Sequence, residues 1–294
     1  PIKLSSLDDL VGINDGIGLG VKYIEYIVDV VGQTSRLSNP NPEQGKTFET
    51  STWTFTQEPE GKHNIKYFAE DIIGNKEEEK LKEIIIDNTA PTTTIVYGEP
   101  KYVVADSSAT TIITKETGIK LSAIDNPEGS GIAEIEYIVG VVGQTSRLSS
   151  IEFKLTNFAD GNYAIKYKSK DNVLNQEPEK TAKIVIDNTV PVVEILSPVV
   201  VDLGLQNATA LCNYVSGKVE IIIKVQDIHL KSYKLDVIAN PELVSGEAIS
   251  IAAGTNNVTE GITEWNTNNL PEGLYTLRLT AEDVVGNANV DTVT

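Results

Sequence analysis

The chain is poor in basic residues, sulfur and aromatics. Of its 294 residues, 24 are Lys or Arg against 42 Asp or Glu, a formal net charge of −18. Nucleic-acid binding needs a clustered basic footprint, and the lysines and arginines form no patch, so no nucleic-acid partner is expected. A single cysteine, Cys212, excludes a disulfide framework within the chain. It reads as a small buried hydrophobe rather than a nucleophile. Methionine is absent even at position 1, so the chain reads as a processed product or a window from something longer. No apolar run approaches the roughly 20 residues of a membrane-spanning helix, and no secretory leader is present. Any export signal or anchor would lie outside this window.

Catalytic patterns are also missing. There is no Gly-rich phosphate loop, no metal-spaced His/Cys cluster and no G-x-S-x-G elbow. Carboxylate pairs of the kind glycosidases use do occur, but they recur in equivalent turns along the chain, whereas a catalytic pair is expected once. No catalytic residue is assigned, and the chain reads as non-enzymatic. The triplets at Asn207 and Asn257 are glycosylation acceptors only in a host with that machinery.

What the sequence does have is repetition. Hydrophobic residues make up 40%, enough for packed cores. EYIVDVVGQTSRLS (25–38) returns as EYIVGVVGQTSRLS (136–149), thirteen of fourteen residues identical. EGKHNIKYFAEDIIGN (60–75), DGNYAIKYKSKDNVLN (160–175) and EGLYTLRLTAEDVVGN (272–287) share one pattern, with Gly61, Gly161 and Gly273 each ten residues before Asp71, Asp171 or Asp283. EIIIDNTAP (83–91) matches KIVIDNTVP (183–191) and joins one unit to the next. Three repeats follow, 1–87, 88–187 and 188–294. Short β-branched runs separated by turn residues, with no long helical period, make them all-β.

The A-x-D-x-x-G-N turn followed by a strand and I-D-N-T-x-P resembles the bacterial Ig-like tandem repeats of cell-surface proteins. The resemblance covers all three repeats. It implies tandem immunoglobulin-like, Greek-key β-sandwich domains arranged as an extended rod. It also implies a structural or adhesive role outside the cell, in a surface layer, filament or adhesin. The alternative it leaves open is a spacer or carbohydrate-binding region of a large secreted hydrolase. Partners would be neighbouring repeats, further copies of the chain, or a surface glycan or protein. One departure stands out: Leu174 occupies the place of Gly74 and Gly286, so this turn is expected to forgo glycine's positive φ.

In that fold, period-two alternation puts Tyr163, Ile165, Tyr167, Ser169 and Asp171 of strand F on the inner face and Lys166, Lys168 and Lys170 outside. Ile65, Tyr67, Leu277 and Leu279 are core by the same count, with Trp265 near the start of a strand. Tyr163 sits where the tyrosine corner of such domains falls, and His63 replaces it in the first repeat. Residue 1 falls at the start of strand B, so strand A of repeat 1 is expected to be missing and strand G of repeat 3 to be short. The ends read as those of a fragment of a longer array, or as an edge completed by a neighbouring chain.

Two candidate sites emerge. Strands B and F end at the same pole, each in an aspartate. The linker Asp87-Asn88 should therefore meet Asp125 and Asp171, with Asn126 and Glu128 nearby, and Asp187-Asn188 should meet Asp227 and Asp283. Such oxygen-rich sets suit Ca²⁺, a layout similar to the cadherin junction. The competing reading is that each aspartate caps its own turn. Second, the duplicated segment is expected to form a repeated lateral contact through Val31, Gln33 and Arg36 and through Val142, Gln144 and Arg147. The aligned F strands match at only four of eight positions, which argues that the near-identity of this segment serves a shared task.

Overall fold

The computed structural model describes residues 3–7, 20–29, 35–39, 47–49, 59–105, 109–140, 142–146, 150–198, 214–239 and 248–294. Among them there is no helix. Repeat 1 carries β1 (Ser5–Leu7), β2 (Val21–Val28), β3 (Ser35–Ser38), β4 (Thr47–Glu49), β5 (Gly61–Asp71) and β6 (Lys80–Ile86). Repeat 2 carries β7 (Thr92–Tyr97), β8 (Lys101–Val103), β9 (Thr110–Ile113), β10 (Ile119–Ile124), β11 (Ile132–Val139), β12 (Val142–Ser146), β13 (Ser150–Phe153), β14 (Gly161–Asp171) and β15 (Lys180–Ile186). Repeat 3 carries β16 (Val192–Ser197), β17 (Lys218–Gln226), β18 (Leu230–Ala239), β19 (Ile249–Gly254), β20 (Val258–Asn266), β21 (Tyr275–Asp283) and β22 (Ala288–Val293).

Each repeat has two sheets. In repeat 2 one runs β13-β10-β7 and the other β12-β11-β14-β15-β9-β8. All its pairs are antiparallel except β15 with β9. Repeat 3 repeats the plan with β16-β17-β20 and β19-β18-β21-β22, and repeat 1 with β1-β4 and β3-β2-β5-β6. No described sheet joins one repeat to another. β22 pairs with β21 only as far as Leu277, whereas β15 follows β14 back to Gly161.

The alternation of apolar and polar residues decides which face turns inward. Ile119 and Leu121 from one sheet of repeat 2 pack against Ile135, Tyr137, Ile165, Tyr167, Ile184 and Ile186 from the other. Repeat 3 does the same with Ile221, Ile223 and Val225 against Leu235, Leu277 and Leu279. Each such side chain, fully buried, contributes about 1.5–3 kcal/mol. Outside, Lys170, Lys168 and Lys166 pair with Glu134, Glu136 and Glu179. Ile65 is buried as expected, while Tyr67 is only partly so. Trp265 is buried but lies at the end of β20, not its start, because the strand begins seven residues earlier at Val258. There it meets the Tyr275 ring edge-on at 5.7 Å.

The tyrosine corners are in place. Tyr163 donates its hydroxyl to the Ala159 carbonyl (3.0 Å) and Tyr275 to that of Pro271 (2.8 Å). In repeat 1 His63 stands in, with Nε2 2.8 Å from the Pro59 carbonyl. The turn at Leu174 differs from expectation. Leu174 adopts φ 77°, close to the 94° and 89° of Gly74 and Gly286. Asp171 imposes this, because its Oδ1 accepts from the N–H groups of Val173 (2.9 Å) and Asn175 (2.8 Å) on either side. The side chain, 72% exposed, meets no wall.

Candidate functional site

Both junctions bring three aspartates together. The carboxylates of Asp87, Asp125 and Asp171 offer oxygens within 4.8 Å of one another, as do those of Asp187, Asp227 and Asp283. The topology explains it. β10 and β14 end at one pole of repeat 2, and β17 and β21 at one pole of repeat 3. The linker leaving β6 or β15 enters at that pole. Asp87, Asp171, Asp187 and Asp283 are buried; Asp125 and Asp227 are half-buried.

Part of each carboxylate does cap a turn. Asp171 accepts the two N–H groups already named and the side-chain amide of Asn175 (2.7 Å); Asp283 repeats all three with Val285 and Asn287. Asp125 Oδ2 accepts from the Gly131 N–H (2.7 Å). Asp87 Oδ2 accepts from the Ser130 N–H (2.7 Å) and its Oδ1 from the Thr89 N–H (3.2 Å). Burial pushes the Asp87 carboxyl up, but the donors from Ser130 and Thr89 hold it below the ordinary carboxylate value. Asp227 goes the other way. Burial, and then the neighbouring charges of Asp187 and Asp283, raise it, with only the His229 N–H and ring opposing.

The closing loops differ. At junction 1 the side-chain amide of Asn126 lies between two sets of oxygens. One end is 3.4 Å from Glu60 Oε2. The other is 3.3 Å from Asp87 Oδ1 and 2.9 Å from Asp125 Oδ1. At junction 2 four fewer residues separate Asp227 from Leu230 than separate Asp125 from Ile132. His229 fills in, with Nδ1 2.5 Å from Asp187 Oδ2. Beside it a cleft of about 610 Å³ stays open, lined by Asn162, Val190, Val192, Gln226 and Ile228.

The Asn188 side chain turns away from its triad to Asp160, while Asn88 is tied to Glu60 through its main chain. The Asn88 N–H donates to Glu60 (2.9 Å), and the Asn188 side chain donates to Asp160 (2.6 Å) while accepting from the Lys115 N–H (2.9 Å). Glu60 and Asp160 are the residues sequence reasoning missed. Each clamps a linker, also accepting from the hydroxyl of Thr89 or Thr189. Their signal was an acidic residue directly before the glycine of all three aligned segments. Asn175 and Asn287 complete the lock by donating to the Asp87 and Asp187 carbonyls (3.0 and 3.1 Å). Of the lateral-contact residues, Val31, Gln33 and Arg147 lie outside the described residues. Val142 and Gln144 fall in β12. Arg36 is paired with Glu25 at 2.7 Å.

The family follows from sequence. The bacterial Ig-like domain (group 3) profile matches residues 47–146 and 147–247, and the chain belongs to that family. No curated protein sequence matches it. Among solved structures, the chain is similar to the fibronectin(III)-like modules of Clostridium thermocellum CbhA, at 17% identity, covering 69% of this chain and 92% of that one (TM-score 0.34). It is also similar to a 1.5-MDa bacterial ice-binding adhesin, at 13% identity, 99% of this chain and 88% of that one (TM-score 0.36). A tandem-repeat extending region of a large adhesion protein matches at 14% identity, 94% and 66% (TM-score 0.32). A tandem array of such domains has a non-catalytic surface or spacer role. No helix among the described residues is long and apolar enough to cross a membrane.

Proposed function

We propose that the chain is a stretch of an extracellular rod in a surface layer, filament or adhesin, and that Ca²⁺ at its two junctions stiffens it. Asp87, Asp125 and Asp171 would hold one ion, and Asp187, Asp227 and Asp283 the other. The observation that carries the reading is the triad itself: at each junction three carboxylates from three segments, two of them buried, bring oxygens within 4.8 Å of one another. Like charges held this close repel, and a cation between them relieves the repulsion. Oxygens from three loops suit the 6–8 ligands of Ca²⁺. Lateral self-association through residues 30–36 and 141–147 belongs to the same reading.

The test uses the full chain, stripped with chelator. Small-angle scattering with and without millimolar calcium should show a narrower spread of lengths and a larger maximum dimension when calcium is present. Identical curves, with an unchanged melting temperature, would leave turn capping as the whole role of the aspartates. A catalytic domain elsewhere in the full-length gene would favour the spacer of a secreted hydrolase.

A further inference from the structure

The two copies of the duplicated segment differ at one position, Asp29 against Gly140, yet their hairpins have different registers. In repeat 1 Glu25 faces Arg36 and Tyr26 faces Ser35. In repeat 2 Glu136, the counterpart of Glu25, faces Thr145, and Tyr137 faces Gln144. The counterparts of Thr145 and Gln144 in repeat 1 are Thr34 and Gln33. The outer strand has therefore slid by two residues along its neighbour. A slide of two leaves every side chain on its own face, so the apolar pattern does not choose between the registers. Another contact must.

That contact is at the differing residue. Asp29 and Gly140 both take a left-handed backbone, φ 56° and 61°. In repeat 2 Gly140 opens a two-residue connection from Val139 to Val142, a shape that needs positive φ. In repeat 1 Asp29 has the same φ but is stitched to β5. Its N–H donates to the Asn64 carbonyl (2.8 Å), its Oδ1 accepts from the Asn64 N–H (2.9 Å), and its Oδ2 meets His63 Nδ1 (2.6 Å). His63 is 4% exposed and anchored at its other nitrogen by Pro59. Repeat 2 has Tyr163 and Ala164 at these places, and Gly140 has no side chain to reach them.

We propose that residue 29 selects the register of the duplicated hairpin: Asp29, latched to His63 and Asn64, holds repeat 1 with Glu25 opposite Arg36, and without the latch the same sequence takes the register of repeat 2. The register decides what the sheet presents. In repeat 1 the Arg36 guanidinium lies 2.7 Å from Glu25 Oε2 and 4.0 Å from the Tyr23 ring centroid, leaving Tyr23 6% exposed. A two-residue slide moves Arg36 from opposite Glu25 to opposite Tyr23, so the ion pair with Glu25 is given up and the guanidinium faces a different neighbour. Repeat 2 has Glu134 in place of Tyr23, paired with Lys170. The two near-identical segments thus offer a partner different edges.

Disulfide trapping in the full chain, in a Cys212→Ser background, tests this, because only residues directly opposite one another meet disulfide geometry. With Asp29 in place, the Glu25→Cys/Arg36→Cys pair should oxidise at least about tenfold faster than Glu25→Cys/Thr34→Cys, and Asp29→Gly should invert that preference. Asp29→Asn, which keeps the left-handed turn and the bond from the Asn64 N–H, should retain the first pair. A Glu136→Cys/Thr145→Cys pair in repeat 2 should cross-link throughout and certifies the fold. Unaltered preference for the first pair in Asp29→Gly would overturn the proposal. Should Asp29→Gly trap neither pair, the transplant Gly140→Asp with Tyr163→His decides. It should move cross-linking at Glu136→Cys from Thr145→Cys to Arg147→Cys, and failure to move it would overturn the proposal equally.

Discussion

The two junctions use the same three aspartates, the same acidic clamp and the same asparagine lock, yet they are closed differently. Junction 1 is covered by the loop from Asn126 to Gly131, which brings a main-chain N–H to Asp87 and an amide to its neighbours. Junction 2 has a loop four residues shorter, a histidine side chain on Asp187, and an open cleft. The shared part is set by turns within each repeat. The part that differs is set by one loop. This division teaches that the pole of each repeat is a fixed cup, and that loop length decides how tightly the preceding linker is held in it. Junction 2 is accordingly expected to be the more flexible joint.

The largest expected effect probes the shared part. Asp171→Ala and Asp283→Ala each strand two backbone N–H groups and an asparagine amide in a turn closed on a buried aspartate. Each should cost about 3 kcal/mol, read by urea denaturation, and the two losses should be alike. Clearly unequal losses would mean that the cups differ as much as their lids. Next, His229→Ala removes the charge-assisted contact to Asp187 and should cost about 1–3 kcal/mol in the melting of repeat 3. Junction 1 has no equivalent lever, because the Ser130 main chain holds Asp87. Full stability in His229→Ala would show that the histidine is a bystander.

A smaller effect compares two turns. Leu174→Gly relieves a left-handed, non-glycine conformation of roughly 1–2 kcal/mol but gains unfolded-state freedom, so it should stabilise repeat 2 by under about 1 kcal/mol. Destabilisation instead would mean that the leucine side chain makes a contact the exposed geometry lacks.

The smallest effect is in pH. Asp87 is held below the ordinary carboxylate value of 3.8 in the fold, so its contribution is complete above 3.8 and is lost as pH falls through the folded value. Asp227 is raised above 3.8, so the folded chain takes up its proton first, and stability is gained as pH falls through that higher value. In chelator, Asp227→Asn should abolish the gain and Asp87→Asn the loss in a pH series of melting temperatures. Parallel profiles for the two variants would erase the electrostatic difference between the junctions.

The sandwich plan was legible because alternation and turn spacing are local. Ile165, Tyr167 and Asp171 share a face by counting alone. The triads were legible for the same reason, since each aspartate closes a strand or a linker. The linker clamp was missed because Glu60 and Asp160 look like strand-start polar residues until the linker folds back on them. Asn188 was misplaced because its backbone reaches the junction while its side chain turns to Asp160. The register of the duplicated hairpin lay beyond any reading of the segment itself, because the deciding partners, His63 and Asn64, come from another strand. At Leu174 a propensity rule lost to three hydrogen bonds around Asp171 and Asn175.

The most direct test of the junction account is calcium titration by calorimetry on the chelator-stripped full chain and on Asp125→Ala and Asp227→Ala. The account predicts two sites in the parent, one in each variant, and the tighter site missing from Asp125→Ala, whose junction is closed by the longer loop. No heat of binding at millimolar calcium, or two sites surviving in both variants, would contradict it.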